Sequence, residues 1–184
     1  MNIPLRTMMT VDAFLAWAAS QEEPQRAELI NGQIVMMASE RLVHTRIKAS
    51  AYVALREALA KAAVIGEVFP DGPTVPIDSF TAYEPDALVR CGTPLPGDGM
   101  IVADPVIVVE VISPSSAHSD TSAKLIGYFK LPSVRHYLVI DPDTRTVMHH
   151  ARSADGSIAA RTLSAGRLLL DPPGLAVEVA DLLA

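Results

Sequence analysis

Apolar positions along this chain repeat with two different periods, and the changes between them lay out the elements. Val11, Phe14, Leu15 and Ala18 fall on one face of a 3.6-residue period, with Thr10 as N-cap and Asp12 in the first turn. In "AELINGQIVMM" Asn31-Gly32 between two apolar flanks is the signature of a two-residue type I′ hairpin. That turn sets Ile30 opposite Gln33 and Glu28 opposite Val35. From Glu40 to Ala62 the helical period returns. His44, Ile47, Ala51, Leu55, Ala58 and Ala62 line one stripe, and Gly66 stands where the helical region should end.

Short strands are predicted at 67–70 and 73–77 around Asp71-Gly72. Another begins within "YEPDALV", residues 83–89, where Pro85 must lie near a strand end or an edge. A polar loop, 91–104, leads into residues 106–112, which are apolar on both pleat faces except at Glu110; this is the pattern of a central strand covered on both sides. Residues 119–130 suit a helix, "RHYLVID" a strand, "DPDT" a turn and "RTVMHHA" the return strand of a hairpin. One or two further strands are expected in 158–179. The strand–helix–strand run from 106 to 140 is a βαβ unit, so its two strands should be parallel. The expectation is an α/β or α+β chain with one long helix, a shorter one and a mixed sheet of about six strands.

The 184 residues suit one domain spanning 1–184 with a sizeable core. Apolar runs stop far short of the ~20 residues that cross a bilayer, so no membrane span is expected. "MNIPLRTMMTVDAF" lacks the apolar core and small-residue cleavage site of a secretory signal. Cys91 is the only cysteine, which excludes an internal disulfide and a zinc cluster and fits a cytoplasmic protein. The net charge of −6 argues against a broadly basic nucleic-acid-binding surface. The best local basic surface is the long helix, with Arg41, Arg46, Lys48, Arg56 and Lys61 against Glu40 and Glu57. Arg41 and Lys48 are its candidate phosphate contacts.

Glu110 changes the picture most. A carboxylate in a doubly covered strand is costly unless a cation or a metal ion pairs with it. Asp86 lies at the start of the preceding strand, and two neighbouring strand-end acids repel unless a hard divalent ion relieves them. Asp120, Lys124 and Tyr128 fall at i, i+4 and i+8 on the helix after the Glu110 strand. From there Lys124 is placed to reach back toward Glu110. Glu28 interrupts an apolar hairpin strand, and His44 heads the apolar stripe of the long helix. His149 and His150 are adjacent on a strand and point to opposite faces, so they do not make one metal site.

Pro85-Asp86, then Glu110, then a lysine is the order of the PD-(D/E)XK nuclease superfamily. That pattern places lysine two residues after the second acid, where this chain has Ile112. The wider set "ELING", His44, "YEPDALV", "EVISPSS", Asp120, Lys124, Tyr128 and "YLVIDP" resembles the Uma-type restriction-endonuclease-like family, a bacterial branch of that superfamily. The resemblance runs from about residue 10 to residue 150. It implies a restriction-endonuclease-like mixed sheet flanked by helices, with additional hairpins. It also implies that the lysine comes from the following helix, so that Lys124 takes the role and Ile112 is core.

The functional expectation is a Mg²⁺- or Mn²⁺-dependent endonuclease that hydrolyses DNA phosphodiester bonds. Asp86 and Glu110 hold the ion and Lys124 orients the water. Glu28, His44 and Tyr128 support the site, and the chain is expected to work as a homo-oligomer, a dimer. The competing expectation is a catalytically degenerate nuclease fold that acts as a binding or oligomeric interaction module. A metal-dependent enzyme acting on a small phosphate ester is a third.

Overall fold

The structure, a computed structural model, describes residues 8–23, 25–112 and 119–184. "SPSS" at 113–116 lies outside the described residues, as does the side chain of Asp120.

The N-terminal helix α1, Val11–Ala19, begins as the capping pattern requires, with Thr10 Oγ1 accepting from the Ala13 N–H. Strands β1, Ala27–Ile30, and β2, Gln33–Met36, pair in the register set by the Asn31-Gly32 turn, Glu28 against Val35 and Ile30 against Gln33. Both turn residues have positive φ, as a type I′ turn demands. Helix α2, Leu42–Lys61, buries His44, Ile47, Ala51, Leu55 and Ala58. It ends at Ala62, followed by Ala63 at φ +52°. The glycine expected to stop this helix, Gly66, instead opens strand β3, Gly66–Pro70. There a Cβ would sit 2.4 Å from the Arg90 carbonyl oxygen, so Gly66 allows a close strand approach rather than a cap.

Strands β4, Val75–Asp78, and β5, Thr81–Tyr83, complete a four-stranded sheet in the order β2-β1-β5-β4. The larger sheet also holds β6, Ala87–Cys91; β7, Ile107–Val111; β8, His136–Asp141; β9, Thr146–Arg152; and β10, Ile158–Leu163. Its order is β10-β9-β8-β7-β6-β3. Helix α3, Ser119–Tyr128, carries the chain from β7 to β8, which are parallel with Ile107 beside His136. The other pairs of this sheet are antiparallel.

Alternation along β7 divides the core. Ile107 and Val109 face α2, with Ala87, Val89, Leu138 and Ile140. Val108 faces α3, with Leu88, Tyr137, Val139, Tyr128 and Phe129. Ile112 packs against that second cluster, the core position expected of it. The tail departs from expectation. It forms three strands: β10, then β11, Arg167–Leu170, and β12, Leu175–Glu178, which pair with each other, followed by the short helix α4, Val179–Leu182. Leu168, Leu170, Leu175 and Val177 are buried beside α2 and the main sheet. The long helix therefore has a second apolar contact surface, which a single-stripe reading does not reveal.

Candidate active site

Glu110 shares the pleat face of Val108 and so points toward α3. The β6–β7 register matches Ala87 with Val109, and one step further brings Asp86 across from Glu110. The Asp86 N–H donates to the Val109 carbonyl at 3.0 Å, and Asp86 Oδ2 accepts from the Val111 N–H at 2.6 Å. Pro85, between β5 and β6, ends one strand and lets the chain turn into the next. Both carboxylates are almost fully buried.

Helix α3 supplies the partners of Glu110. Lys124 Nζ donates to Glu110 Oε1 at 3.0 Å, and the Tyr128 hydroxyl donates to the same oxygen at 2.6 Å. The four-residue spacing on one helical face aims both at this point. Lys124 also lies 2.9 Å from Glu28 Oε1, which is fixed by the Glu84 N–H at 2.9 Å. Beneath the ammonium is the Tyr83 ring, with Nζ 5.6 Å from its centroid, within cation–π range. Glu28, Asp86, Glu110, Lys124 and Tyr128 are thus brought together from β1, the start of β6, β7 and α3.

The electrostatics are those of an acid-rich site. Burial, opposed by Lys124 and reinforced by Asp86 and Glu28, pushes the Glu110 carboxyl up to about 8. Burial likewise raises Asp86 above the ordinary aspartate range, against the pull of Lys48 and the Val111 amide. The Tyr128 phenol is raised far above its usual value by burial and by the Glu110 charge.

A second tier surrounds Asp86, and it is where sequence reasoning missed residues. Lys48 is buried, its Nζ 2.6 Å from Asp86 Oδ1 and hydrogen-bonded to Glu40. Arg26 joins Glu40, Asp71 and Glu84, each at 3.1 Å. Lys48, expected among the phosphate contacts, therefore has its ammonium inside this cluster. The signal for its placement was available: it lies four residues after His44 and three before Ala51, on the apolar stripe. Arg41 remains near the surface, with Asp143 at 3.1 Å and the His44 ring nitrogen at 3.3 Å. His44 is buried and meets the Arg41 guanidinium.

With this geometry in hand, comparison with known proteins is specific. A family profile described as "Putative restriction endonuclease", Uma2, matches residues 11–183. The chain belongs to the Uma2 family. An uncharacterized protein of Synechocystis sp., sll1609, is 26% identical over 138 residues, covering 73% of this chain and 77% of its own. A crystal structure of a "putative nuclease belonging to DUF820" from Anabaena variabilis superposes with a TM-score of 0.74 at 18% identity, over 95% of this chain and 97% of that one. The likeness shows that the Uma2 chain shares the fold of that protein, mixed α and β with a sheet flanked by helices.

Whether a divalent cation suits this Uma2 site is a matter of donors. Among the described residues, no three His, Cys, Asp or Glu side chains gather in a metal-binding group. The Asp86–Glu110 pair fits a different arrangement: Mg²⁺ takes hard oxygen ligands and keeps several waters, with only one or two carboxylates. Across both tiers Glu28, Glu40, Asp71, Glu84, Asp86 and Glu110 outnumber Arg26, Lys48 and Lys124. That surplus of acids over bases, together with the raised carboxyls, is what a bound divalent cation would relieve. No helix among the described residues is long and apolar enough to cross a membrane.

Proposed function

We propose that this protein is a metal-dependent endonuclease that hydrolyses DNA phosphodiester bonds. The observation that carries the reading is the Lys124 ammonium held between Glu110 and Glu28, with Asp86 across the β6–β7 pair from Glu110, in a chain of the Uma2 family. Asp86 and Glu110 hold Mg²⁺ or Mn²⁺, which supplies Lewis acidity toward a phosphoryl oxygen when bound.

The remaining work falls to the chain. Lys124 donates a hydrogen bond that orients the attacking water, and its charge stabilises the phosphate as negative charge builds on it. Glu28, anchored by the Glu84 amide, keeps the ammonium in line. Tyr128 fixes the Glu110 carboxyl through Oε1. Arg41 contacts the DNA backbone, exchanging Asp143 for a phosphate, and His44 holds the Arg41 guanidinium in place. Hydrolysis of both strands is performed by a dimer.

The test pairs plasmid cleavage with thermal melts, each with and without Mg²⁺. Glu110→Ala abolishes Mg²⁺-dependent cleavage, and its metal-free melting temperature falls while the protein stays folded, because the buried Tyr128 hydroxyl and the Lys124 ammonium each lose a partner. Lys124→Met abolishes cleavage but retains the thermal shift with the ion. The wild type gains stability from the ion by mass action and Glu110→Ala gains much less. Equal stabilisation of these two proteins refutes the metal assignment, and undiminished cleavage by either variant refutes the catalytic one. A folded wild type that binds Mg²⁺ yet cleaves no DNA would favour an interaction module on the same fold.

A further inference from the structure

We propose that Lys48 is the internal counter-ion of Asp86 in the metal-free protein, and that it yields Asp86 to the divalent cation by withdrawing onto Glu40 and Asp71. This rests on the reading of Asp86 as a metal ligand. The Asp86 carboxylate has two oxygens, and both are engaged. Oδ2 accepts from the Val111 amide at the strand end, and turning it away would leave that N–H without its partner. Oδ1 is held by Lys48 Nζ at 2.6 Å. A side-chain ammonium is the more readily moved of the two partners.

Lys48 has somewhere to go. Its Nζ already bonds Glu40 Oε1 and lies 3.6 Å from Asp71 Oδ2. These two acids form a graded path outward: the side chains of Asp86, Glu40 and Asp71 are 5%, 21% and 37% exposed. Lysine is a compact point charge on a flexible four-carbon stem, able to trade one carboxylate for another without backbone movement. Arg26 spans Glu40 and Asp71 and keeps both in position as acceptors. Two cations at one carboxylate oxygen repel, so the divalent ion and the ammonium exclude each other at Oδ1. Lys48 is therefore a positioning residue. It keeps a buried acid paired while the site lacks its ion, and it weakens ion binding by the cost of its own displacement.

The proposal predicts opposite signs for two neighbouring substitutions. Mn²⁺ affinity is measured by titration calorimetry on the full chain at one fixed, mildly alkaline pH, with melts alongside. Lys48→Met removes the competitor: the metal-free protein melts lower, and the Kd for Mn²⁺ falls about five- to tenfold, the penalty an occluded site imposes. Glu40→Gln removes the nearest refuge: the ammonium is confined to Asp86, and the Kd rises by a similar factor. Asp86→Asn binds no ion at this site. A purely structural lysine would weaken metal binding when removed, so a higher or unchanged Kd in folded Lys48→Met overturns the proposal while the metal site stands. If Lys48→Met does not fold, an unchanged or lower Kd in Glu40→Gln overturns it as well. A wild type whose Mn²⁺ binding is the same as that of Asp86→Asn overturns both this proposal and the metal site.

Discussion

Histidine 149 shows how a single residue records its surroundings. It is buried in the main sheet, and its hydrogen bonds assign the tautomers. His136 Nε2 faces the Pro172 carbonyl at 2.9 Å and must donate to it. Nδ1 of the same ring therefore accepts from His149 Nε2 at 2.9 Å, and His149 Nδ1 accepts from Arg161 Nε at 3.2 Å. Every donor points the same way along the chain of bonds, so an added proton on either ring breaks a link. Burial, then the charges of His136, Arg161 and His150, hold the His149 imidazole down to about 4, against an ordinary 6.5. The unfolded chain takes up this proton as pH falls through 6.5, while the folded chain resists until about 4. This group's contribution is thus lost across that window. In urea melts at a series of pH values, the stability advantage of the wild type over His149→Gln should shrink as pH falls from 6.5 to about 4. A difference that is constant with pH would contradict this account. Sequence alone assigned the two adjacent histidines to opposite faces, which agrees with His149 meeting His136 while His150 stacks on Tyr137. It gave no sign of the bond chain, which depends on pairing between β8, β9 and β10.

At the scale of elements, helix α3 is held to the sheet by an unusually close contact. A Cβ on Gly127 would lie 2.6 Å from Tyr83 Cε2 and 2.8 Å from its hydroxyl oxygen. Tyr83 is itself buried, edge-on to Tyr128 and beneath Lys124. Gly127→Ala should push the helix outward at a cost of about 1–3 kcal/mol, reduced by up to about 1 kcal/mol of gained helix propensity. Because Lys124 rides on this helix, the proposed DNA cleavage should fall further than the stability loss accounts for. Melts and cleavage rates measured on the same preparation check this, and a variant with wild-type stability and rate would sink it. Much of the element layout was legible because its signals are local. Asn31-Gly32 set a register, the apolar run around Glu110 marked a central strand, and the 106–140 crossover required parallel neighbours. What escaped notice depends on partners distant in sequence. Strand β3 flanks Asp71-Gly72 but pairs with β6, and β4 pairs with β5. The place of Lys48 on the apolar stripe marks it as inward-facing, but its partner Asp86 comes from a distant strand end.

On the scale of the whole molecule, the main sheet and the β11–β12 pair share helix α2. Leu168, Leu170, Leu175, Val177, Val179 and Leu182, all from the last two strands and α4, fill the same cluster as Ile47, Leu55, Val89, Val109 and Leu138. The C-terminal segment is therefore part of the main core. We expect the chain to unfold as one unit. Trp17 packs with the α1 cluster and the four-stranded sheet, far in sequence from that segment. Its fluorescence should lose native signal at the same urea concentration as far-UV circular dichroism. Leu170→Ala should lower stability by about 2–5 kcal/mol and move both transitions equally. Separate midpoints would divide the protein into independent parts. The acid-rich centre was visible in the sequence as Asp86, Glu110 and Lys124. Glu28 was named beside them, but the outer acids Glu40, Asp71 and Glu84 were not, because they come from connections between elements whose convergence only the assembled sheets produce.

The crossover from β7 through α3 to β8 also has a kinetic meaning. Neighbouring hairpins such as β1–β2 and β8–β9 close short loops, whereas Ile107 meets His136 only after an intervening helix has been placed. The entropic cost of that closure comes before any contact rewards it. Strand β7 contributes Glu110 and α3 contributes Lys124, so the chemical centre sits on a join that closes later than the hairpins. A nascent or refolding molecule should acquire most of its hairpin structure before it can bring these two residues together. Activity should then return after the bulk of the circular dichroism signal, with a lag set by how fast that one strand finds its parallel neighbour.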